Sequence, residues 1–407
     1  MTDLRVTQLD SGLTVATERV PGTLSVATGV WVGVGARDEP AESSGVSHFL
    51  EHLLFKGTGR RSAIEISRTV DRYGGDINAF TTKEYTAYYC RLPARDAAIA
   101  IDLLGDVVTS PSLRPDDLEV ERQVILEEIA MDDDSPDDVV HRHFGEQVFA
   151  GHPLGRDTAG DPGTVESITV DQVREFFETH YTAGSMVVSV AGPMHHDEML
   201  DQVAVAFAPV RRGTTTVQRI RPERIGESAS LVDDTEQVHL VVGGRAIDRT
   251  DPDREVLEVV NHVLGGGLSS RLFDVIREQR GLVYSVFSSL SMYSDAGAWA
   301  VSAGSQPRHA DEVVGLVLAE LGRLVADGIT DDELEIAKGY LTGSYELGLE
   351  DTASRMARNA GLLCTRGEIT PVADQVARWR AVDQVAVRRV IDRVFRDDPI
   401  VVTLGPA

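Results

Sequence analysis

The stretch that most constrains this chain is Ser47-His48-Phe49-Leu50-Glu51-His52, set in an apolar run that continues to Phe55. Residues three and four apart share one helix face, so His48, Glu51 and His52 converge if the run is helical. Two imidazoles within reach of one ion, beside a free carboxylate, suit Zn²⁺ and a base for its coordinated water. The order His-x-x-Glu-His is the reverse of the commoner His-Glu-x-x-His. A surface helix with two solvated histidines is the simpler reading of these five residues. Phe49, Leu50, Leu53, Leu54 and Phe55 argue against it, because they make the helix largely buried. Buried imidazoles and carboxylates need partners. The fold must therefore deliver a third ligand to this helix, and a carboxylate is the expected donor.

The surrounding pattern reads as mixed helix and strand. Leu4 to Thr17 forms a hairpin pattern around Asp10-Ser11-Gly12, and Val26 to Val34 is a further strand. Arg60 to Tyr73 is an amphipathic helix closed by Gly74-Gly75. Asp76 to Arg91 returns to strand, with a polar turn at Lys83-Glu84. Helices follow over Ala94–Val108, Asp116–Met131, Val139–Ala150 and Val170–His180, and the acidic run Asp132 to Asp138 reads as solvated loop. Met186 to Ala191 is a short strand. A Thr-rich basic stretch around Pro209 to Pro222, poor in core residues, marks a linker.

After that linker the order recurs. His239–Gly243 is strand-like, Arg254–Leu264 and Arg271–Arg280 are helical on either side of Gly265-Gly266-Gly267, and strands run between Tyr284 and Ala303. Helices over Ala310–Asp327, Asp331–Glu350 and Ala353–Cys364 complete the pattern. Two halves of similar order suggest a duplication, with α+β architecture in each. The expected domains are 1–210 and 228–407, joined by a linker at 211–227.

Composition narrows the function classes. A formal charge of −26 over 407 residues leaves no basic footprint for nucleic acid. No apolar run reaches membrane-spanning length, and Met1 to Val6 has neither the basic nor the apolar part of a signal peptide. Cys90 and Cys364 are far apart in the sequence with no CxxC, so disulfides are not the framework. These features lead us to expect a cytoplasmic protein.

With Glu128 in Val124-Ile125-Leu126-Glu127-Glu128-Ile129, the chain resembles the M16 (pitrilysin-like) zinc metallopeptidases, bacterial relatives of mitochondrial processing peptidase. The landmarks run through nearly the whole chain. They are Gly35-Ala36-Arg37-Asp38-Glu39, the histidine motif, Phe55-Lys56-Gly57-Thr58, Gly74-Gly75 with Asn78-Ala79-Phe80-Thr81, Glu121 with Glu128, His152-Pro153-Leu154-Gly155, and Arg277 with Tyr284.

The resemblance implies two homologous-looking domains, each a mostly antiparallel sheet covered by helices, together forming half of a clam-shell chamber that a homodimer closes. It implies one Zn²⁺ per chain, held by His48, His52 and Glu128, with Glu51 as general base and Glu121 orienting a ligand histidine. Glu127 is the rival ligand to Glu128, although a step of about 100° per residue puts it on a different helix face from Glu121. Asn78, Ala79 and Phe80 would form an edge strand that takes an extended peptide by strand addition. Arg277 and Tyr284 would contact substrate, Tyr284 stabilising the oxyanion. The implied substrates are short or unfolded peptides. The alternative role is a non-catalytic partner subunit of a processing-peptidase-like complex. Gly265-Gly266-Gly267 has no following Gly-Lys-Ser/Thr and is no nucleotide loop.

Overall fold

The computed structural model describes residues 3–406; the outer bounds expected for the domains, Met1 and Ala407, and Thr2 beside the first, lie outside the described residues. The first half runs β1 (Asp3–Gln8), β2 (Thr14–Arg19), β3 (Ser25–Val32), α1 (Val46–Leu54), α2 (Ala63–Tyr73), β4 (Asp76–Thr81), β5 (Thr86–Pro93), α3 (Ala97–Thr109) and α4 (Pro115–Asp133). It continues through α5 (Pro136–Val148), α6 (Pro162–Ser167), α7 (Val170–His180), β6 (Met186–Gly192) and α8 (His196–Ala206). Residues 212–228 carry neither helix nor strand. The second half runs β7 (Ala229–Val232), β8 (Val238–Ala246), α9 (Arg254–Asn261), β9 (Val283–Met292), β10 (Gly297–Ser305), α10 (Ala310–Asp327) and α11 (Asp331–Gly348). It ends with α12 (Thr352–Arg366), α13 (Val372–Arg380), α14 (Gln384–Val394) and β11 (Ile400–Gly405).

Two differences from the sequence pattern have local causes. The acidic run is mostly helical, because Ser135 caps α5 and only two residues separate it from α4. The helix read over Arg254–Leu264 ends instead in a π-helical turn, His262–Gly266, which takes in two of the three glycines, and the helix read over Arg271–Arg280 is mostly a second such turn, Phe273–Glu278. A Cβ on Gly265 would lie 2.7 Å from the Ser288 amide, so glycine is what lets β9 approach the first of these turns.

The two sheets repeat one topology. The first has the order β1-β2-β6-β3-β5-β4 and the second β7-β11-β8-β10-β9. Matching β7 to β2, β11 to β6, β8 to β3, β10 to β5 and β9 to β4 makes the orders identical once β1 is set aside. Pair directions match as well: β2 and β6 are parallel, as are β7 and β11, and the other pairs are antiparallel. The duplication therefore shows in the strand order. β4 and β9 are the edge strands at corresponding positions.

Each unit has its own core. In the first, Val26, Val30 and Val32 face a cluster with Phe49, Leu50, Leu53, Leu103 and Leu104, while Ala27 and Trp31 alternate to the other face. That outer face is lined with Ala16, Ala27, Ala87 and Ala191 and is covered by Met356, Ala360 and Leu363 of α12. A Cβ on Gly29 would sit 2.3 Å from Met356 Sδ, so small residues set the approach of this helix. The second unit repeats the device, with Phe144 of α5 over Ala298, Ala300 and Gly243.

The compact units are accordingly not unbroken blocks of chain. One comprises the chain up to Ile129, Arg156–Gln218 and Gly348–Ile369; the other comprises Ala130–Gly155, Arg219–Leu347 and the chain from Thr370. Segments 130–155 and 348–369 thus depart from the blocks expected at 1–210 and 228–407. Among the described residues, no helix is long and apolar enough to cross a membrane.

Candidate metal centre

Helix α1 buries Val46, Phe49, Leu50, Leu53 and Leu54, which turns His48, Glu51 and His52 to the opposite, half-buried side. The two imidazoles meet edge to face, with ring centroids 4.7 Å apart. Helix α4 lies across them, held by Arg122, whose guanidinium stands 5.6 Å over the Phe49 ring and donates to the Val165 and Ile168 carbonyls. This places Glu128 Oε2 3.4 Å from His52 Nε2 and 3.8 Å from His48 Nε2. One ligand atom from each of His48, His52 and Glu128 lies within 4.8 Å of the others. Ligands about 2.0–2.1 Å from a tetrahedral Zn²⁺ lie roughly 3.4 Å apart, so the trio fits that ion with one position left open. Glu127 is exposed and is not among these three.

Two turns before Glu128, Glu121 reaches the other side of the same ring. Its Oε2 lies 3.2 Å from His52 Nδ1, and its Oε1 pairs with Lys56 Nζ at 2.5 Å. The residue is 2% exposed, so a partner on each oxygen is what its burial requires. Among the described residues His48 has no such partner: its Nδ1 is buried and unbonded. Burial, then the neighbouring His52, lowers the His48 pKa to about 4, with Asp157 opposing. The ring is thus neutral over the range in which a ligand imidazole must be.

A pH dependence follows. In the metal-free chain the unfolded state takes up a proton at this ring below about pH 6.5, while the folded state resists until about 4. Stability should therefore fall by up to about 3 kcal/mol as pH drops through that window. Denaturant titrations of metal-free wild type and His48→Gln measure this. The slope should flatten in the variant, and an unchanged slope assigns it to other groups.

Glu51 is partly buried, which raises its pKa; a hydrogen bond from Thr81 and the charge of His52 act against the rise, and Glu128 adds to it. Thr81 Oγ1 donates to Glu51 Oε2 at 2.5 Å. Thr81 ends β4, and alternation along that strand sends Thr81 towards α1 and Phe80 to the other face. There Phe80 packs edge-on to Trp31, Tyr85 and Tyr89, and it remains 37% exposed. Among the described residues β4 pairs only with β5, and the side chain of Asn78 accepts from the Ala79 amide at 2.8 Å.

The structure brings His48, Glu51, His52, Glu121, Glu128 and the strand Asn78-Ala79-Phe80 into one unit. Arg277 and Tyr284 lie in the other unit. There they form a pair of their own, the Arg277 guanidinium lying 5.5 Å from the Tyr284 ring and 4.6 Å from that of Phe273. Tyr284 is 84% exposed on β9. Thr81 and Lys56 are the contacts that sequence reading missed. Lys56 stands four residues after His52, a spacing that marks a shared face, but its partner on α4 has no sequence signal.

Comparison with known proteins gives the family. Residues 14–162 match the family described as Insulinase (Peptidase family M16), and residues 167–341 match the Peptidase M16 inactive domain. A Streptomyces coelicolor protein named as an uncharacterized zinc protease is 41% identical over 99% of this chain and 90% of its own length. The chain belongs to peptidase family M16. A Mycobacterium tuberculosis relative, also named as an uncharacterized zinc protease, is 42% identical over 95% of this chain and 89% of its own length. A Bacillus subtilis relative, likewise named as a zinc protease, is 35% identical over 98% and 97%. The crystal structure of a Helicobacter pylori protease superposes with a TM-score of 0.93 at 23% identity, covering all of both chains. A Pseudomonas fluorescens structure described as a peptidase M16 inactive domain gives the same TM-score at 20% identity, over 100% of this chain and 98% of the other. The M16 fold is common to all three. Residues 167–192, which the inactive-domain match includes, supply α7 and β6 to the first unit.

Proposed function

We propose that this M16 protein is a zinc-dependent endopeptidase that hydrolyses short or unfolded peptides. The observation that carries the reading is the convergence of His48, His52 and Glu128 donor atoms within 4.8 Å, with Glu51 on the same helix but outside the trio. Among the described residues this is the one such group, which fits a catalytic first unit and a second unit of the inactive-domain type.

His48, His52 and Glu128 would hold one Zn²⁺, which supplies Lewis acidity towards a water molecule and the scissile carbonyl. Glu51 takes the proton released as water attacks and returns it to the departing amine. Glu121 fixes the His52 ring through Nδ1, and the pair with Lys56 keeps Glu121 in place. An extended peptide adds to the free edge of β4, displacing the Asn78 side chain from the Ala79 amide. Side chains of that peptide alternate between faces, so those on the Phe80 side meet its exposed ring. Arg277 and Tyr284 act on the substrate from a second copy in a homodimer, Tyr284 donating to the developing oxyanion.

A quenched fluorescent peptide tests the whole reading. Purified chain with about one zinc per chain should cut it, lose activity on chelation and regain it with zinc. A partner-subunit role predicts no cleavage from metal-loaded chain. Mixing Arg277→Ala with Glu51→Gln chains should restore part of the activity if the site is shared across a dimer, and no recovery would count against that sharing.

Thr81 gives a finer test. Hydrogen bonds to charged groups contribute about 1.5–3 kcal/mol. Thr81→Val should therefore lower kcat by roughly 10–100-fold with KM little changed, and Thr81→Ser should retain most turnover. Equal rates in Val and wild type would show that this hydroxyl does not orient the base.

A further inference from the structure

Helix α1 starts where it cannot cap itself. Gly45 occupies its N-cap with φ +96°, and a Cβ there would lie 2.5 Å from the Ala159 carbonyl oxygen. Glycine is what fits, and glycine has no side chain to accept the amides that a first helical turn leaves unbonded. Glu39 supplies the acceptor from outside the helix. It is 4% exposed, and its two oxygens accept from the Gly45 amide at 2.7 Å and the Ser47 amide at 2.8 Å.

Glu39 is itself held to the hairpin that contains β4. The Ala36 and Arg37 amides donate to the carbonyls of Thr82 and Lys83, at 3.0 and 2.9 Å. The Arg37 guanidinium forms a buried pair with Glu84 at 2.7 Å, both side chains 2% exposed. From the other side, Arg156 donates to the Glu39 carbonyl at 3.3 Å, and Lys83 donates to the Arg156 carbonyl. The segment from Gly35 to Glu39 thus ties the start of α1 to the turn that follows Thr81.

We propose that Glu39 is a positioning residue for the metal centre, fixing the first turn of α1 and with it the place of His48. This rests on the reading of His48, His52 and Glu128 as metal ligands. The two histidines differ in what holds them. His52 sits in the last turn of α1 and its ring is oriented by Glu121, whereas His48 sits in the capped first turn and its Nδ1 has no partner among the described residues. The main chain is what aims the His48 ring, and Glu39 is the side chain that seats that main chain. Burial pushes the Glu39 pKa up to about 7, although the two amides and Arg156 pull it down. A carboxyl thus stands where burial disfavours its charge, because an apolar side chain could not satisfy the two amides.

The test uses Co²⁺ alone as the probe, titrated into metal-free chain and read by its visible spectrum and by chelator competition. Glu39→Gln keeps the shape but offers one acceptor and sets an NH₂ group against the second amide. It should weaken Co²⁺ binding by about 10–100-fold, the range for outer partners of metal ligands, and shift the ligand-field bands. Glu39→Asp, which keeps both acceptors on a shorter arm, should fall between Gln and wild type; it carries the test if the Gln chain does not fold. Circular dichroism at the titration temperature establishes that each variant is folded. Folded variants with wild-type affinity and spectrum overturn the proposal. If wild type itself takes up no Co²⁺, the metal-ligand reading fails first.

Discussion

Glu51→Gln is expected to keep its zinc and lose about 10²–10⁴-fold in kcat, the usual worth of a general base. The amide has nearly the shape of the carboxylate and can still accept from Thr81 Oγ1, so the contact at 2.5 Å survives in the variant. What it cannot do is take a proton. Burial raises the Glu51 pKa, which brings the carboxyl nearer to the working pH and improves it as a base. The donor atoms that converge belong to His48, His52 and Glu128, so metal content should be unaffected. Metal analysis and peptide turnover on one preparation read both halves. Wild-type turnover in the variant would remove Glu51 from the base role, and loss of metal would make it a ligand.

Part of this centre was legible because its geometry is local. The spacing of His48, Glu51 and His52 places them on one helix face, and the apolar residues between them place that helix in a core; α1 has this arrangement. Glu128 was different. Nothing in the spacing of α1 and α4 along the chain requires the two helices to meet, and the resemblance to a family supplied that residue. Thr81 shows the same limit, since its face follows from strand alternation but its neighbour does not. At the level of the fold, α5 and α12 read correctly as helices, yet an amphipathic pattern does not say which sheet will receive it. The receiving faces carry the signal, in Ala16, Ala27, Gly29 and Ala191 for α12, and it can be read only once the sheet order is known. The π-helical turns around the glycines escaped because a short apolar repeat does not separate them from an ordinary helix.

Three carboxylates on α4 should rank in a fixed order when each is replaced by its amide. Glu121 and Glu128 are two turns apart and take opposite nitrogens of His52, 3.2 Å from Nδ1 and 3.4 Å from Nε2. Nε2 faces the point shared with His48, so Glu128 competes for the ion and Glu121 for the ring. Glu128→Gln removes an anionic donor from a trio and should weaken metal binding by more than about 100-fold, beyond the range of an outer partner. Glu121→Gln should lose about 10–100-fold, because the ring keeps its place in the helix but loses the charge behind it. Glu127 is exposed, and its amide should bind as wild type does. Chelator competition on the three folded variants gives the order directly. A Glu127→Gln chain that loses metal while Glu128→Gln retains it would move the third ligand by one residue and turn α4 by about 100° from the orientation described.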